Sequence, residues 1–257
     1  MSFALLTGAS KGIGRAMAQQ LAAKKIDLLL VARNESELAA LSGELQAAHG
    51  ITAHFLAVDL SKAKAAEVVF NWCRGNNYKV QYLINNAGYG MTGRFEEAPL
   101  EDYLAMMHVN MNAVVELSHF FLPQLKEQER SYILNIASSA AYQAVPYLGV
   151  YAASKSFVLQ FTRALRYELR KTPVSVTCVS PGSTKTNFDS RAGMGPKALK
   201  AASKVAMQPD EVARIAIDTM LKGKPEIVVG LLNKLGAAFV WLLPKNLVEN
   251  TAAKIYE

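Results

Sequence analysis

Tyr151 and Lys155 stand four residues apart in the run Val150-Tyr151-Ala152-Ala153-Ser154-Lys155. On a helix this spacing projects both side chains from one face, about one turn apart, so both can act on the same ligand. A free phenol titrates at about pH 10 and is seldom ionised at neutrality, but a neighbouring ammonium favours the phenolate and lowers that value. The pair is therefore expected to move a proton at a reacting oxygen, with Lys155 holding the Tyr151 pKa down. By itself the same pair is an ordinary helix surface, so the residues that accompany it decide the reading.

The second distinctive stretch is Thr7-Gly8-Ala9-Ser10-Lys11-Gly12-Ile13-Gly14, which follows the first apolar run and opens directly into an amphipathic pattern. Glycines let a backbone turn tightly and approach a pyrophosphate, whose charge is met by the amides and dipole at the start of the helix. A dinucleotide is the ligand this arrangement fits.

Apolar, β-branched-rich runs at Ala4–Thr7, Asp27–Ala32, His54–Val58, Tyr82–Asn86, Tyr132–Ile136, Val174–Val179 and Glu226–Val229 are too continuous for strands with one wet face. Helical spacing fills the intervals Ile13–Ala23, Glu35–His49, Ala63–Arg74, Leu100–Lys126, Val150–Arg170 and Asp210–Lys222. Asn34 followed by Glu37 marks a capping box, and Pro209 with Asp210 and Glu211 marks a first helical turn. The alternation predicts an α/β fold: one doubly wound, mostly parallel sheet of seven strands with helices on both faces. Ligands should bind beyond the carboxyl ends of the strands. Residues 1–257 are expected to form one dinucleotide-binding catalytic domain. Within it, residues 184–208 form a connection long enough to be a substrate lid. An apolar, helical tail over residues 230–257 includes Trp241 between Lys234 and Lys245, and its apolar run is about half the ~20 residues of a membrane span.

At 51% hydrophobic and 19% charged residues, the chain is too apolar for disorder. Its +7 net charge is spread rather than clustered, which suits an anionic ligand and argues against nucleic acid. Two cysteines, Cys73 and Cys178, fall in apolar runs and read as core thiols. The start of the chain lacks a basic, cleavable leader pattern, so a cytoplasmic location is expected. No metal enters the assignment.

The spacing T-G-x-x-x-G-x-G over Thr7–Gly14 resembles the short-chain dehydrogenase/reductase family. Asn85-Asn86-Ala87-Gly88 resembles the family's N-N-A-G, and Asn110 its helix asparagine. Ser138 lies thirteen residues before Tyr151, which together with Lys155 forms Y-x-x-x-K, and Pro181-Gly182 follows the sixth strand. The resemblance implies a hydride transfer between a nicotinamide and a carbonyl or secondary alcohol, most simply the reduction of a ketone or aldehyde. Tyr151 would give the proton, Ser138 would hold the carbonyl oxygen, Lys155 would hold the nicotinamide ribose, and Asn110 would bend its helix and hold a water for proton passage to Lys155.

For the cofactor it implies Gly8, Ser10, Lys11, Gly12, Ile13 and Gly14 at the pyrophosphate, and Asp59 with Leu60 at the adenine. It also implies Asn86, Ala87, Gly88, Pro181, Gly182, Thr184 and Thr186 along the groove, with Tyr151 and Lys155 at the nicotinamide. A ribose hydroxyl wants a carboxylate at the end of the second strand, whereas a phosphate wants a cation. Here that strand ends in Arg33, and Lys11 adds a second charge, so NADP(H) is expected over NAD(H), with Glu35 as the acid that could reach back toward the ribose. Two other functions stay open: a 3-oxoacyl-thioester reductase, and a non-catalytic NADP(H)-sensing or scaffold protein. The expected partners are a small carbonyl substrate and further copies of the chain in a dimer or tetramer. The tail would cover the pocket or form an interface, with contact at a membrane surface as the rival.

Overall fold

Leu28, Leu29, Leu30 and Val31 are four successive residues with no exposed surface, a pattern possible only for a strand covered on both faces. This strand lies in a seven-stranded sheet formed by β1 (Phe3–Thr7), β2 (Asp27–Ala32), β3 (Ala53–Ala57), β4 (Val80–Asn85), β5 (Ser131–Ile136), β6 (Val174–Ser180) and β7 (Glu226–Val228). Every pairing is parallel. The structure is a computed structural model that describes residues 2–186 and 188–256; the side chains of Asp189, Ser190 and Trp241 lie outside that description, and with them the expected role of Trp241.

The helices are α1 (Gly12–Ala23), α2 (Glu35–His49), α3 (Ala65–Gly75), α4 (Leu100–Met107), α5 (Ala113–Lys126), α6 (Gly149–Glu168), α7 (Phe188–Arg191), α8 (Pro196–Val205), α9 (Pro209–Leu221), α10 (Leu231–Leu242) and α11 (Lys245–Tyr256). On one face of the sheet, Met17 and Leu21 of α1 join Leu38 and Leu41 of α2 and Ile217 and Met220 of α9. On the other face, Val69 and Cys73 of α3 pack with Leu117 and Phe121 of α5. The expected caps are present. Asn34 accepts from the Glu37 amide at 3.1 Å, and Pro209 opens α9. The strand order is β3-β2-β1-β4-β5-β6-β7, so the winding reverses between β1 and β4, and a crevice opens at their carboxyl ends.

Two expectations change. The single helix expected over Leu100–Lys126 is broken by a π-helical turn, His108–Asn112, because buried Asn110 turns inward to hydrogen-bond its neighbours. Residues 184–208, read as a connection, contain α7 and α8 and a parallel bridge between Thr184 and Met207. The tail is helical, as expected, and forms α10 and α11; no helix among the described residues is long and apolar enough to cross a membrane.

Candidate active site

The crevice begins where β1 gives way to α1. Gly8 has φ +66°, and a Cβ there would lie 2.9 Å from the Ala87 Cα. At Gly14 a Cβ would lie 2.0 Å from the Gly8 carbonyl oxygen. Any side chain at Gly14 would drive the first turn of α1 off the loop, which is why the spacing of these glycines is strict. The Asn86 amide Nδ2 donates to the Thr7 carbonyl at 2.9 Å and to the Gly8 carbonyl at 3.2 Å. The Thr7 hydroxyl accepts in return from the amides of Asn86 at 3.0 Å and Ala87 at 3.1 Å. These bonds tie the ends of β1 and β4 together and leave bare backbone facing the crevice.

From this floor a cleft of about 1010 Å³ runs across the carboxyl edge of the sheet. Its wall brings together Gly8, Ser10, Lys11, Gly12, Ile13 and Gly14, then Arg33, Asp59 and Leu60, then Asn86, Ala87 and Gly88. Ser138, Tyr151, Lys155, Pro181, Gly182, Thr184 and Thr186 complete it. Asn110 stands behind this wall. Its Nδ2 donates to the Tyr89 carbonyl at 2.9 Å and to the Ser154 hydroxyl at 3.0 Å, and its Oδ1 accepts from the Tyr89 amide at 3.1 Å. It thereby clamps the segment after β4 to α6. Gly88 sits between this clamp and the cleft, where a Cβ would lie 3.0 Å from Lys155 Nζ.

At the inner end, Lys155 Nζ donates to the Ile136 carbonyl at 2.9 Å and lies 5.9 Å from the centre of the Tyr151 ring. Both residues are buried. Burial pushes the Tyr151 phenol up to about 12, against the downward pull of a hydrogen bond with the Ser138 hydroxyl, and Tyr256 adds to the rise. Burial likewise pushes the Lys155 ammonium down to about 8. The expected lowering of Tyr151 by Lys155 is not found in this structure: the phenol is raised, and desolvation favours the neutral form of each group. A phenol held protonated at neutral pH is suited to giving a proton away. Between the adjacent serines, Ser138 makes the contact with Tyr151; the Ser139 amide donates to the Pro181 carbonyl at 2.8 Å.

At the outer end, Asp59 accepts from the Ser61 amide at 3.0 Å. Burial works to raise its carboxyl, but the Ser61 bonds and the nearby Arg33 charge prevail and hold it below the usual range. Arg33 is exposed on the rim. Lys11, expected to offer a free charge, is paired with Glu37 at 2.8 Å, and that bond is the main cause of the lowered Glu37 pKa.

Several wall residues escaped the sequence reading: Tyr89, Leu148, Phe188, Arg191, Met194 and Tyr256. Tyr89 directly follows Asn86-Ala87-Gly88 and could have been inferred from adjacency. Tyr256 had no local signal. It arrives because α11 packs against α8, and it joins Tyr103, Met106, Leu148 and Tyr151 in one apolar cluster. The Phe188 ring lies 5.3 Å from the Tyr151 ring, so α7 also borders the reactive end.

A family model described as short chain dehydrogenase matches residues 2–195. The chain is 29% identical over 231 residues to 7beta-hydroxysteroid dehydrogenase of Collinsella aerofaciens, covering 90% of this chain and 86% of that one. It superposes with TM-score 0.82 and 27% identity on a short-chain dehydrogenase from Sphingobium yanoikuyae in complex with NADPH, covering 94% of each chain. A short chain dehydrogenase/reductase from Burkholderia phymatum in complex with NAD gives TM-score 0.82 at 25% identity, covering 92% of each chain.

The shift at Lys155 has a thermodynamic consequence. Its ordinary value is 10.5 and its folded value about 8, so between these pH values the unfolded chain keeps a proton that the folded chain has lost. Stability therefore gains from this residue as pH rises through that window. Above about pH 10 the raised phenol of Tyr151 begins to work the other way. In urea unfolding without cofactor, the stability of wild type relative to Lys155→Met should improve from pH 8 to pH 10. A flat difference between the two proteins would contradict the lowering of this amine's proton affinity by burial.

Proposed function

The chain belongs to the short-chain dehydrogenase family, and on that premise we propose that it uses NADP(H) to reduce a ketone or aldehyde and can oxidise the corresponding alcohol. The observation that carries this reading is one continuous cleft with a buried phenol and amine beside a partly buried hydroxyl at its inner end and an arginine at its outer end. The fit to a dinucleotide is good. Gly8 and Gly14 leave backbone bare where a pyrophosphate must approach, and Pro181, Gly182, Thr184 and Thr186 form the opposite bank.

When bound, the nicotinamide supplies the hydride to the carbonyl carbon or removes it from the alcohol. Tyr151 gives its phenolic proton to the carbonyl oxygen as negative charge develops there, and Ser138 donates a hydrogen bond to that oxygen. Lys155, anchored on the Ile136 carbonyl, holds the nicotinamide ribose. Asn110 is a positioning residue, since its bonds to Tyr89 and Ser154 keep Gly88 and α6 in register.

The preference for a phosphorylated cofactor rests on Arg33, because Lys11 is engaged by Glu37. Segment 184–208 acts as the substrate lid. Leu148, Phe188, Met194 and Tyr256 give the substrate end an apolar lining, which favours a free, bulky carbonyl over a carrier-bound thioester. The buried, unbridged thiols Cys73 and Cys178 fit a reducing cytoplasm. On α10, Leu231 is 73%, Leu232 68% and Leu242 79% exposed, a face suited to contact between copies of the chain.

Three measurements test these assignments. Tyr151→Phe should bind NADPH as wild type does while its turnover on a carbonyl panel, followed by NADPH absorbance, falls by about 10²- to 10⁴-fold; substantial residual turnover would mean another group gives the proton. Arg33→Asp should lose on the order of tenfold or more in affinity for NADPH, about 1.4 kcal/mol, with little loss for NADH. An unchanged preference would defeat the role of Arg33. Sedimentation should give a dimer or tetramer that Leu232→Glu shifts toward monomer, whereas a wild-type monomer at all concentrations would remove the interface.

A further inference from the structure

Besides Arg33, the cleft wall carries a second guanidinium. Arg191 ends α7 and lines the same cleft. Its guanidinium lies 4.1 Å from the centre of the Tyr89 ring, the separation of a stacked cation–π pair. The backbone beside it is also fixed. The Ala192 carbonyl accepts from both the amide and the hydroxyl of Thr92, each at 2.8 Å. The chain is therefore stitched at two adjacent points to the segment after β4, and Arg191, though exposed, is held along the cleft wall by its stack on Tyr89.

We propose that Arg191 grips a phosphate of the bound dinucleotide in the cleft that Arg33 also lines. The inference rests on the dinucleotide reading above. Two guanidiniums lining one groove repel each other, and burial, followed by the Arg33 charge, holds the Arg191 pKa below its usual range. Asp59 is close enough to offset part of that repulsion, but its carboxylate is already engaged by Ser61. A phosphate between the two arginines would replace repulsion with charge-assisted hydrogen bonds to both planar forks. Because Tyr89 and Thr92 already hold the lid side in place, little further ordering is needed when the anion arrives.

The shared chemistry is a phosphate group, and a dinucleotide carries it either on the adenine ribose or in the pyrophosphate. Binding of NADPH and NADH to wild type, Arg191→Ala, Arg191→Lys and Arg33→Ala, titrated by calorimetry at low and high salt, separates these sources. Arg191→Ala should weaken NADPH at least about tenfold, with Arg191→Lys between it and wild type. Loss for NADPH alone assigns the ribose phosphate, and equal loss for both cofactors assigns the pyrophosphate. The salt dependence of NADPH affinity should also be shallower in Arg191→Ala, because a screened charge contact has been removed. A residue that only props the segment against Tyr89 would change thermal stability or the KM for the carbonyl without changing that salt dependence. Unchanged cofactor affinities, or a loss whose salt dependence matches wild type, would overturn the proposal. Failure of wild type to bind either dinucleotide would instead overturn the underlying cofactor reading.

Discussion

The side-chain amide of Asn86 spans the one place in the sheet where the backbone must part. At the carboxyl ends of β1 and β4 the chain leaves for opposite faces, so carbonyls that would pair with a continuing strand have no such partner. Asn86 donates to two of them, on Thr7 and Gly8, while the Thr7 hydroxyl takes up the amides of Asn86 and Ala87. The opening between the strand ends is held at a set width without filling it. Gly14 can then pack its bare Cα against Gly8, and the whole cleft is built outward from that floor.

The reactive end depends on a different balance. Lys155 and Tyr151 are withdrawn from water, and that withdrawal moves their proton affinities in opposite directions, each toward the uncharged form. The polar contacts that remain are few and directed: Ser138 to the phenol and Ile136 to the amine. Groups so placed respond strongly to any charge brought beside them, since little solvent is left to screen it. The protonated phenol is the form that reduction of a carbonyl consumes.

Much of this architecture was legible in the residues alone, for identifiable reasons. Buried parallel strands such as Leu28–Val31 must be apolar on both sides, and glycines at positions 8, 12 and 14 cannot be exchanged freely, so both leave marks in the sequence. Tyr151 and Lys155 are one helical turn apart and need no tertiary information to be paired. The remainder depended on contacts distant in the chain. Lys11 meets Glu37, Arg191 meets Tyr89, and Tyr256 reaches the Tyr151 cluster, with no local periodicity to announce any of them. The balance of burial against charge at Tyr151 was equally hidden, because a spacing rule reports proximity and not depth.

The π-helical turn at His108–Asn112 was missed for a subtler reason: it contains one residue more than an α-helical turn, and the apolar spacing on either side remains regular. That extra residue is a rotational offset. Each α-helical residue advances the chain by about 100°, so the surplus residue turns the apolar stripe of α4 relative to that of α5. Tyr103 and Met106 can then face Tyr151 and Ala152, while Leu117 and Phe121 face the sheet. One helical rod thereby serves two differently oriented walls. A single-residue deletion here would restore ideal helix geometry yet misalign both, so the locally imperfect turn is the one the surrounding architecture requires.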